Sequence, residues 1–369
     1  MKNLSKIVTI LLTLVLISTL FVGCKSSKKD VENDKYNQEQ EKGEVEDDKS
    51  KDDADKEGTD KETDTSENDK EATVIKVAAL KGPTGMGMAK LMDDVDSGES
   101  ALKCEFTLSG APDELTGKII SNEVDLACVP TNLASVLYNK SKGQIKLAAV
   151  NTLGVLYVME VGDEIKSVED LKGKEIYTSG KGLVPDYILQ YILKENNLDP
   201  EKDVTLNYTM QHAEVATTVI SGDNKLAMLP QPFVTTVSMK NKDARIALDI
   251  TEEWKKIQGE DSPLAMGCII VNSEFAANNK ELVADFLEEY KQSVEWVNAN
   301  AEEAGKVIEN QGIINNAKIA ETAIPNSNIV FITAEDAKET LQNLYEILFE
   351  FNPTSVGGKL PDGDFYYKE

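Results

Sequence analysis

The chain has 369 residues, with 39 Lys and Arg against 65 Asp and Glu, which gives a formal net charge of −26. A chain of this length accommodates two domains of ordinary size. So large an acidic excess excludes nucleic acid and anionic lipid surfaces as electrostatic partners, because both require a basic face on the protein.

The first 24 residues have the pattern of an export signal. Lys2 and Lys6 precede an uninterrupted apolar and hydroxyl stretch over residues 7–22. The stretch is short for a bilayer span, and a basic start, an apolar centre and a small-residue exit are typical of a secretory signal peptide. The exit, Gly23-Cys24, resembles a bacterial lipobox, in which the Cys is lipidated and becomes the mature N-terminus. The alternative is an ordinary signal anchor with an incidental Cys.

Residues 25–72 are acidic, with 10 Lys, 19 Asp or Glu and almost no large apolar side chain. Such a segment cannot bury enough surface to offset the entropy lost on folding, so we expect a disordered, solvated tether. Taking away the +2 of the signal and the −9 of the tether leaves −19 for residues 73–369. The folded part is therefore itself acidic.

The first folded residues predict a layered α/β structure. Residues 74–80 are β-branched and apolar and predict a strand, residues 81–85 contain Gly, Pro and Thr and predict a turn, and Met88, Leu91 and Met92 recur at helical spacing. A strand followed by a glycine-rich turn and a helix is the beginning of an α/β fold.

The sequence then repeats at an offset of 100 residues. Residues 119–132 read IISNEVDLACVPTN and residues 219–232 read VISGDNKLAMLPQP, and the Lys-Gly pair at 81–82 recurs at 181–182. Each copy reads as a helix end, a polar turn, a short buried strand and a Pro loop. We therefore predict two similar α/β domains, each with its own sheet.

Two apolar helix patterns follow, over residues 282–297 and 341–348, with no counterpart in the second copy. We expect these helices to pack back on the first domain. The chain would then cross between the domains twice, near residues 151–155 and 266–270, and two crossovers make a hinge. The predicted division is lobe 1 at residues 73–153 and 267–369 and lobe 2 at residues 154–266.

The lipobox, the tether and three motifs, KGPTGMGMAKLM, SGAPDELTGKIISNEVDLACVPTN and LPQPFVTTV, together resemble an ABC-transporter substrate-binding lipoprotein. The resemblance is to the nitrate, sulfonate, taurine and thiamine-precursor binding group. It implies an α/β, two-lobed periplasmic-binding-protein-like fold of type II with a double crossover hinge. It also implies a small-molecule ligand, and partners that are an ABC permease and its ATPase subunits.

In α/β sheets, ligands bind beyond the carboxyl ends of the strands, at helix N-termini, where glycines let a ligand approach the backbone. The candidate ligand-binding residues are Gly82, Pro83, Thr84, Gly85, Met86, Ser109, Ala111, Pro112, Thr131, Asn132, Thr152, Ser179, Gly180, Lys181, Gly182, Gln211, His212, Pro230 and Gln231. Three of these have alternatives that stay open. Met at helical spacing also suits a core, Lys181 also suits a solvated loop, and His212 also suits a structural polar role.

The sequence carries no enzyme signature. His212 is the only histidine, no G-x-S-x-G elbow accompanies it, and phosphate-loop and dinucleotide fingerprints are absent. Asp113 and Asp125 read as a helix-start acid and a turn acid rather than a catalytic pair. Cys104, Cys128 and Cys268 lie in apolar runs and predict buried free thiols. We expect no metal and no cofactor.

The leading hypothesis is a monomeric solute-binding lipoprotein on the outer face of a bacterial, Gram-positive cell membrane, held there by a lipid on Cys24. Its ligand would be a small anionic or heteroaromatic nutrient such as a sulfonate, nitrate or a vitamin precursor. Two alternatives stay open at this point. One is an enzyme of thiamine-precursor or menaquinone-pathway type on the same fold, and the other is a surface sensor or adhesin without transport.

Overall fold

The computed structural model describes residues 73–368, in which helices cover two mixed β-sheets. The predicted signal peptide, Cys24 and the whole of the predicted tether lie outside the described residues. The strands are β1 (Ile75–Leu80), β2 (Cys104–Ser109), β3 (Leu126–Pro130), β4 (Ile145–Thr152), β5 (Leu156–Val161), β6 (Glu175–Tyr177), β7 (Thr205–Asn207), β8 (Leu226–Pro230), β9 (Ala244–Asp249), β10 (Gly267–Asn272) and β11 (Ile329–Thr333).

Thirteen α-helices occur within residues 73–368. They are α1 (Pro83–Met86), α2 (Ala89–Ser97), α3 (Pro112–Ile120), α4 (Thr131–Ser141), α5 (Val184–Glu195), α6 (His212–Ser221), α7 (Phe233–Lys240), α8 (Ile250–Gln258), α9 (Ser273–Asn278), α10 (Lys280–Ala299), α11 (Ala301–Asn310), α12 (Ala317–Ala323) and α13 (Lys338–Phe351). None of these helices is long and apolar enough to cross a membrane.

The first sheet has six strands in the order β11-β4-β10-β3-β1-β2. β1 runs parallel to β2 and β3, whereas β10 runs antiparallel to β3 and β4. The strand predicted at residues 74–80 is confirmed as β1. Every residue of β1 except Lys76 is buried, because helices cover both faces of the sheet, and this double coverage explains the near-continuous apolar run.

The second sheet has five strands in the order β7-β6-β8-β5-β9. Five neighbouring strands of the first sheet, β2-β1-β3-β10-β4, match them in order and in relative direction. The equivalent strands β3 and β8 cover residues 126–130 and 226–230. The repeat at an offset of 100 residues is therefore confirmed as a repeat of the fold.

The chain passes between the two sheets twice. It leaves the first sheet at the end of β4 and enters the second at β5, over residues 153–155, and it returns between the end of α8 and the start of β10, over residues 259–266. The chain therefore crosses twice, as expected, but the return crossover precedes the expected residues 266–270, of which 267–270 belong to β10. The lobe boundaries drawn from them stay a prediction.

The two C-terminal apolar patterns form α10 and α13. α10 packs against α2 and β11 on the first sheet, where the Ser293 hydroxyl donates to the Gly87 carbonyl at 2.7 Å and accepts from the Leu91 N–H at 3.1 Å. α13 also contacts α5 of the second sheet's segment, and the Asn343 amide donates to Gln258 Oε1 at 2.8 Å. Both helices therefore contact the first sheet's segment, as expected, since the Tyr345 hydroxyl of α13 donates to the Thr131 carbonyl at 2.9 Å, and the additional contacts of α13 with the second segment were not predicted.

The backbone of the turn after β1 requires glycine at two positions, Gly82 and Gly85, for reasons that involve no ligand. Gly82 has φ of +96°, a backbone conformation that residues other than Gly rarely adopt. A Cβ added at Gly85 would lie 2.5 Å from the Leu80 carbonyl oxygen, so only Gly lets α1 fold back onto the end of β1.

We predict that Gly85→Ala lowers the free energy of unfolding by about 1–3 kcal/mol, because the added methyl group must displace a backbone carbonyl. Gly117→Ala is the matched control, since it lies inside α3 with no atom within 4 Å of the added Cβ, and it should raise stability by about 1 kcal/mol. Urea unfolding of both variants measures this. Equal effects of the two substitutions would contradict the packing argument.

Candidate ligand-binding site

The candidate loops gather at two sheet edges that adjoin the crossovers. β10 begins at Gly267, which pairs with Pro130 and Thr152, so the carboxyl ends of β3 and β4 lie where the return crossover enters the first sheet. β5 begins at Leu156, which pairs with Pro230, so the carboxyl end of β8 lies where the outward crossover enters the second sheet. Three residues, 153–155, separate β4 from β5 and therefore join the two edges.

The loops after β3 and β8 are built into these crossovers. The Thr131 N–H donates to the Met266 carbonyl at 3.1 Å, and at the equivalent place the Gln231 N–H donates to the Val155 carbonyl at 3.0 Å. Each bond extends an antiparallel ladder past the end of its strands. The backbone of both loops is thus held by the connection between the sheets.

The hydroxyl groups of Thr131 and Thr152 are occupied within the protein. Thr131 is fully buried and donates to the Ala265 carbonyl at 2.8 Å, and Thr152, 1% exposed, donates to Asn151 Oδ1 at 3.1 Å. Asn132 is half-buried, and its amide donates to the Ser355 carbonyl at 3.3 Å. The Thr131 hydroxyl therefore stabilises the return crossover, whereas the Thr152 hydroxyl is engaged within β4.

Asn151 is a structural residue that the sequence reasoning did not single out. It is 1% exposed, and its amide donates to the Thr84 carbonyl at 3.1 Å and to the Tyr290 hydroxyl at 3.0 Å. It therefore ties the turn after β1 and the helix α10 to the end of β4. Its position as an amide inside the apolar run IKLAAVNT was the available signal, because a buried amide requires partners.

The turn after β1 offers a ligand less than its sequence suggested. Pro83 and Thr84 are half-buried, whereas Gly85 and Met86 are buried, and Met86 lies in the same hydrophobic cluster as Met88. Met86 therefore belongs to the hydrophobic core, which is the alternative that its helical spacing left open. Thr84 is the member of this turn that retains a partly exposed polar side chain.

The loop after β2 is closed by a glutamate. The Ser109 hydroxyl donates to Glu114 Oε2 at 2.6 Å, and the Gly110 N–H reaches the same oxygen at 3.3 Å. These bonds lower the pKa of Glu114 below its usual range, with the Ser109 hydroxyl as the main cause. Ala111 is exposed and Pro112 is half-buried at the start of α3.

The loop after β6 carries a buried carboxylate. Asp186 is 2% exposed; its Oδ2 accepts from the Gly182 N–H at 2.7 Å, and its Oδ1 accepts from the Gln190 amide at 2.7 Å and from the Tyr208 hydroxyl. Burial, with this hydrogen bond to Asp186, raises the pKa of Tyr208. Lys181 is exposed, and its Nζ lies 5.7 Å from the centroid of the Tyr208 ring.

Sequence reasoning did not single out Asp186, although its place was a signal, because an acid in the first turn of a helix caps free N–H groups. Of the other residues in this loop, Ser179 is 2% exposed, while Gly180 and Gly182 both have φ of +76°. The glycines are therefore required by the backbone conformation of the loop.

The start of α6 places a histidine beside an aromatic ring. Gln211 is exposed and forms a capping box with Glu214, whose Oε2 accepts from the Gln211 N–H at 2.9 Å. The His212 ring lies 5.8 Å from the Phe233 ring, and its buried Nδ1 has no hydrogen-bond partner among the described residues. Burial lowers the pKa of His212 from 6.5 to about 4, so the imidazole is neutral at pH 7.

The remaining candidates follow β8. Pro230 is half-buried, while Gln231 is 2% exposed, and its Oε1 accepts from the Thr235 hydroxyl at 2.8 Å. The Gln231 side chain is therefore engaged within α7. Across the candidates, Thr84, Ala111, Asn132, Lys181, Gln211 and His212 keep partly or fully exposed side chains at the two edges, whereas Met86, Ser109, Thr131, Thr152, Ser179 and Gln231 are buried in this conformation.

Two surface cavities lie away from these loops. One, of about 240 Å³, is bordered by Lys146 and Lys280, and the other, of about 440 Å³, is bordered by Glu160 and Asp223. Within residues 73–368, no group of His, Cys, Asp or Glu side chains is suited to hold a metal ion. The candidate site therefore lies at the strand ends and not in these cavities.

We predict that His212 makes the protein less stable in mild acid. The unfolded chain binds a proton at this residue below about pH 6.5, and the folded chain does so only below about pH 4, so stability falls as pH drops through that window. Between pH 7 and pH 4, the free energy of unfolding of His212→Gln should fall by up to about 3 kcal/mol less than that of the parent protein. Urea unfolding at a series of pH values measures the difference, and parallel profiles would contradict it.

Comparisons with known proteins identify the family of this chain. Residues 88–322 match the family described as "ABC transporter, phosphonate, periplasmic substrate-binding protein". A curated relative, the putative binding protein YtlA of Bacillus subtilis, is 21% identical over 232 residues, which are 61% of this chain and 66% of that protein. The match therefore spans just under two thirds of the relative's length.

Solved structures share the fold. The crystal structure of an ABC transporter from Parabacteroides distasonis is 25% identical, covers 80% of this chain and 99% of its own, and superposes with a TM-score of 0.68. The periplasmic aliphatic sulphonate binding protein SsuA of Escherichia coli is 14% identical, covers 80% of this chain and 92% of its own, and has a TM-score of 0.63. The chain belongs to the family of ABC-transporter periplasmic substrate-binding proteins, which bind substrates and are not enzymes.

Proposed function

We propose that this protein is the solute receptor of an ABC importer. It captures a small molecule between two lobes and delivers it to a membrane permease that works with ATPase subunits. This proposal rests on one observation: the carboxyl ends of the equivalent strands β3 and β8 lie at two sheet edges, and the two crossovers connect these edges. A ligand at these edges would contact loops from both sheets at once.

Contact with both sheets gives the ligand a means to change the conformation. If residues 73–153 and 267–369 move as one lobe and residues 154–266 as the other, the two crossovers form the hinge. A ligand that contacts both lobes favours the closed state by its extra contacts there. The permease would then recognise the closed receptor.

The proposed ligand site consists of the candidate residues at the two edges. Thr84, Ala111 and Asn132 would contact the ligand from the first lobe, and Lys181 and His212 would contact it from the second. The ligand class proposed from the sequence is a small anionic or heteroaromatic nutrient, such as a sulfonate, nitrate or a vitamin precursor. The name of the matched family adds phosphonates to the compounds to be tested.

We further propose that the receptor is a monomer held at the outer face of a Gram-positive cell membrane by a lipid on Cys24. Support comes from the signal pattern of residues 1–24 and from the acidic composition of residues 25–72. A lipid anchor would place the receptor next to its permease, although its own net charge of −26 does not favour binding to anionic lipid.

Ligand binding should stabilise residues 25–369 against unfolding, by about 2.7 kcal/mol at a concentration 100 times Kd. A thermal-unfolding screen with sulfonates, phosphonates, nitrate and heterocyclic vitamin precursors measures this. Ala111→Trp, at an exposed position of the candidate site, should abolish the stabilisation. Ala277→Trp, at an exposed position on α9, should leave it unchanged. No stabilisation by any compound would count against the proposed function.

Cys24→Ala should release the protein from cells into the medium, because the acceptor of the lipid is removed. Immunoblots of membrane and medium fractions measure this in the producing bacterium. Ser26→Ala, two residues away, should stay with the membrane. Equal membrane retention of both variants would contradict lipid anchoring and would leave the ligand proposal untouched.

A further inference from the structure

Three helices that begin at the candidate ligand site each carry a carboxylate at their third position. These are Glu114 on α3, Asp186 on α5 and Glu214 on α6. Each carboxylate folds back onto its own loop: Glu114 accepts from Ser109 and Gly110, Asp186 from Gly182, and Glu214 from the Gln211 N–H. The N-terminal ends of these helices are thus already occupied by negative groups of the protein itself.

Two of the three carboxylates are equivalent in the internal repeat. Glu114 and Glu214 are 100 residues apart, and the loops they close follow the equivalent strands β2 and β7. The same closure therefore occurs at the same place on both sides of the site. Asp186 stands alone, because the equivalent position in the first copy is the buried Met86.

This arrangement disfavours an oxoanion as the ligand. A sulfonate, phosphonate or nitrate bound at a helix N-terminus requires free backbone N–H groups and a positive local potential. Here the loop N–H groups that lie at or just before the N-caps of the three helices, those of Gly110, Gly182 and Gln211, already donate to carboxylates. The lowered pKa of Glu114 also keeps that carboxylate ionised at neutral pH, so an arriving anion would meet like charge.

Few cationic side chains lie near the candidate site to compensate for the charge of these carboxylates. Arg245 is the only arginine in the chain, and it lies at the start of β9, where its Nη2 donates to Glu160 Oε2 at 2.6 Å. β9 ends at the edge that adjoins the outward crossover, so Arg245 lies at the opposite edge of the second sheet. No guanidinium is therefore available for two-pronged binding of an oxoanion at the site. Lys81 and Lys181 are the lysines within the candidate loops, and both are exposed.

The same loops offer aromatic and apolar surface instead. Leu183 is 54% exposed beside the Gly180–Gly182 turn, and the rings of Tyr208, His212 and Phe233 are partly exposed at the carboxyl ends of β7 and β8. Surfaces of this kind favour a flat, apolar ring over a small hydrated ion.

Three polar atoms at this edge have no hydrogen-bond partner among the described residues, and one of them, Thr251 Oγ1, faces Gly154 of the outward crossover. Thr178 is fully buried directly after β6, and its Oγ1 is unpartnered, as is the buried Nδ1 of His212. A buried polar atom without a partner is costly, and a bound molecule that supplies a hydrogen bond removes that cost. One hydroxyl group and one neutral ring nitrogen together suit a ligand with both donor and acceptor atoms.

We propose that the ligand is an uncharged heteroaromatic molecule, whose ring lies among Leu183, Tyr208 and Phe233 and whose polar edge meets Thr178 and His212. The carboxylates of Glu114, Asp186 and Glu214 reject oxoanions from the same site. This inference rests on the proposed function, and it selects one ligand class from the two proposed there. It also separates this chain from the phosphonate-binding proteins after which the matched family is named.

The test is calorimetric titration of residues 25–369 with two sets of compounds. One set contains methylphosphonate, ethanesulfonate and nitrate, and the other is a library of uncharged nucleobases, nucleosides and heterocyclic vitamin precursors. We expect binding from the second set only. Micromolar binding of any oxoanion would overturn the inference and leave the proposed function intact. Binding solely of non-aromatic compounds would also overturn it. An absence of binding by every compound would count against both.

Two double variants test whether the carboxylates at the helix ends cause the rejection of oxoanions. Glu114→Gln with Glu214→Gln keeps the capping hydrogen bonds, because Gln serves the third position of a capping box as well as Glu does. Removing the two charges should strengthen methylphosphonate binding by about tenfold. The control is Glu123→Gln with Asp223→Asn, which removes two charges at the opposite ends of α3 and α6, where each carboxylate accepts from a serine. Equal gains in both pairs would show that net charge, and not these helix ends, governs anion affinity.

Heterocycle binding supplies the matching test of contacts. Thr178→Val replaces the unpartnered hydroxyl by a methyl group of similar volume and should weaken the best heterocycle by about tenfold. Thr217→Val, at an exposed position on α6, is the control and should change nothing. Unchanged heterocycle affinity in Thr178→Val would overturn the proposed polar contact.

Discussion

The architecture depends on two equivalent backbone hydrogen bonds, from Thr131 to Met266 and from Gln231 to Val155. Each extends an antiparallel ladder, β3 with β10 or β8 with β5, from a sheet into a crossover. Because β10 and β5 each begin where the parallel strands end, the bonds bring the carboxyl edges of both sheets to the crossovers. The candidate site, the proposed hinge and the helix ends at the candidate site all follow from this arrangement.

The two sheets are equivalent in strand order and direction, but the helices that pack on them differ. α10 and α13 have no counterpart in the second half, and α13 contacts both, through Tyr345 to Thr131 on one side and Asn352 to Tyr187 on the other. One hydrophobic cluster accordingly contains residues from both sheets. The proposed movement of one lobe against the other would therefore have to preserve or repack the contacts of α13.

Much of the fold could be predicted because its signals are local. The strands β3 and β8 repeat a pattern of a polar turn, four buried residues and a proline, and the crossovers follow from where that pattern starts and stops. The site was less predictable. Loop position marked Thr131, Met86 and Gln231 as candidates, yet each is buried and held by the protein. Asn151 and Asp186 were missed because their partners are remote in the sequence: Tyr290 lies on α10, and Tyr208 directly follows β7.

The sequence by itself determined the export signal pattern, the acidic tether, the internal repeat and the family resemblance, since each depends on composition or on residue order. Only the tertiary structure decided which donors at the strand ends remain free. Glu114, Asp186 and Glu214 follow candidate loops in the sequence, and sequence reasoning did not single them out. Their hydrogen bonds to those loops matter because a backbone N–H that already donates to a carboxylate cannot also hold a ligand's oxygen with full strength.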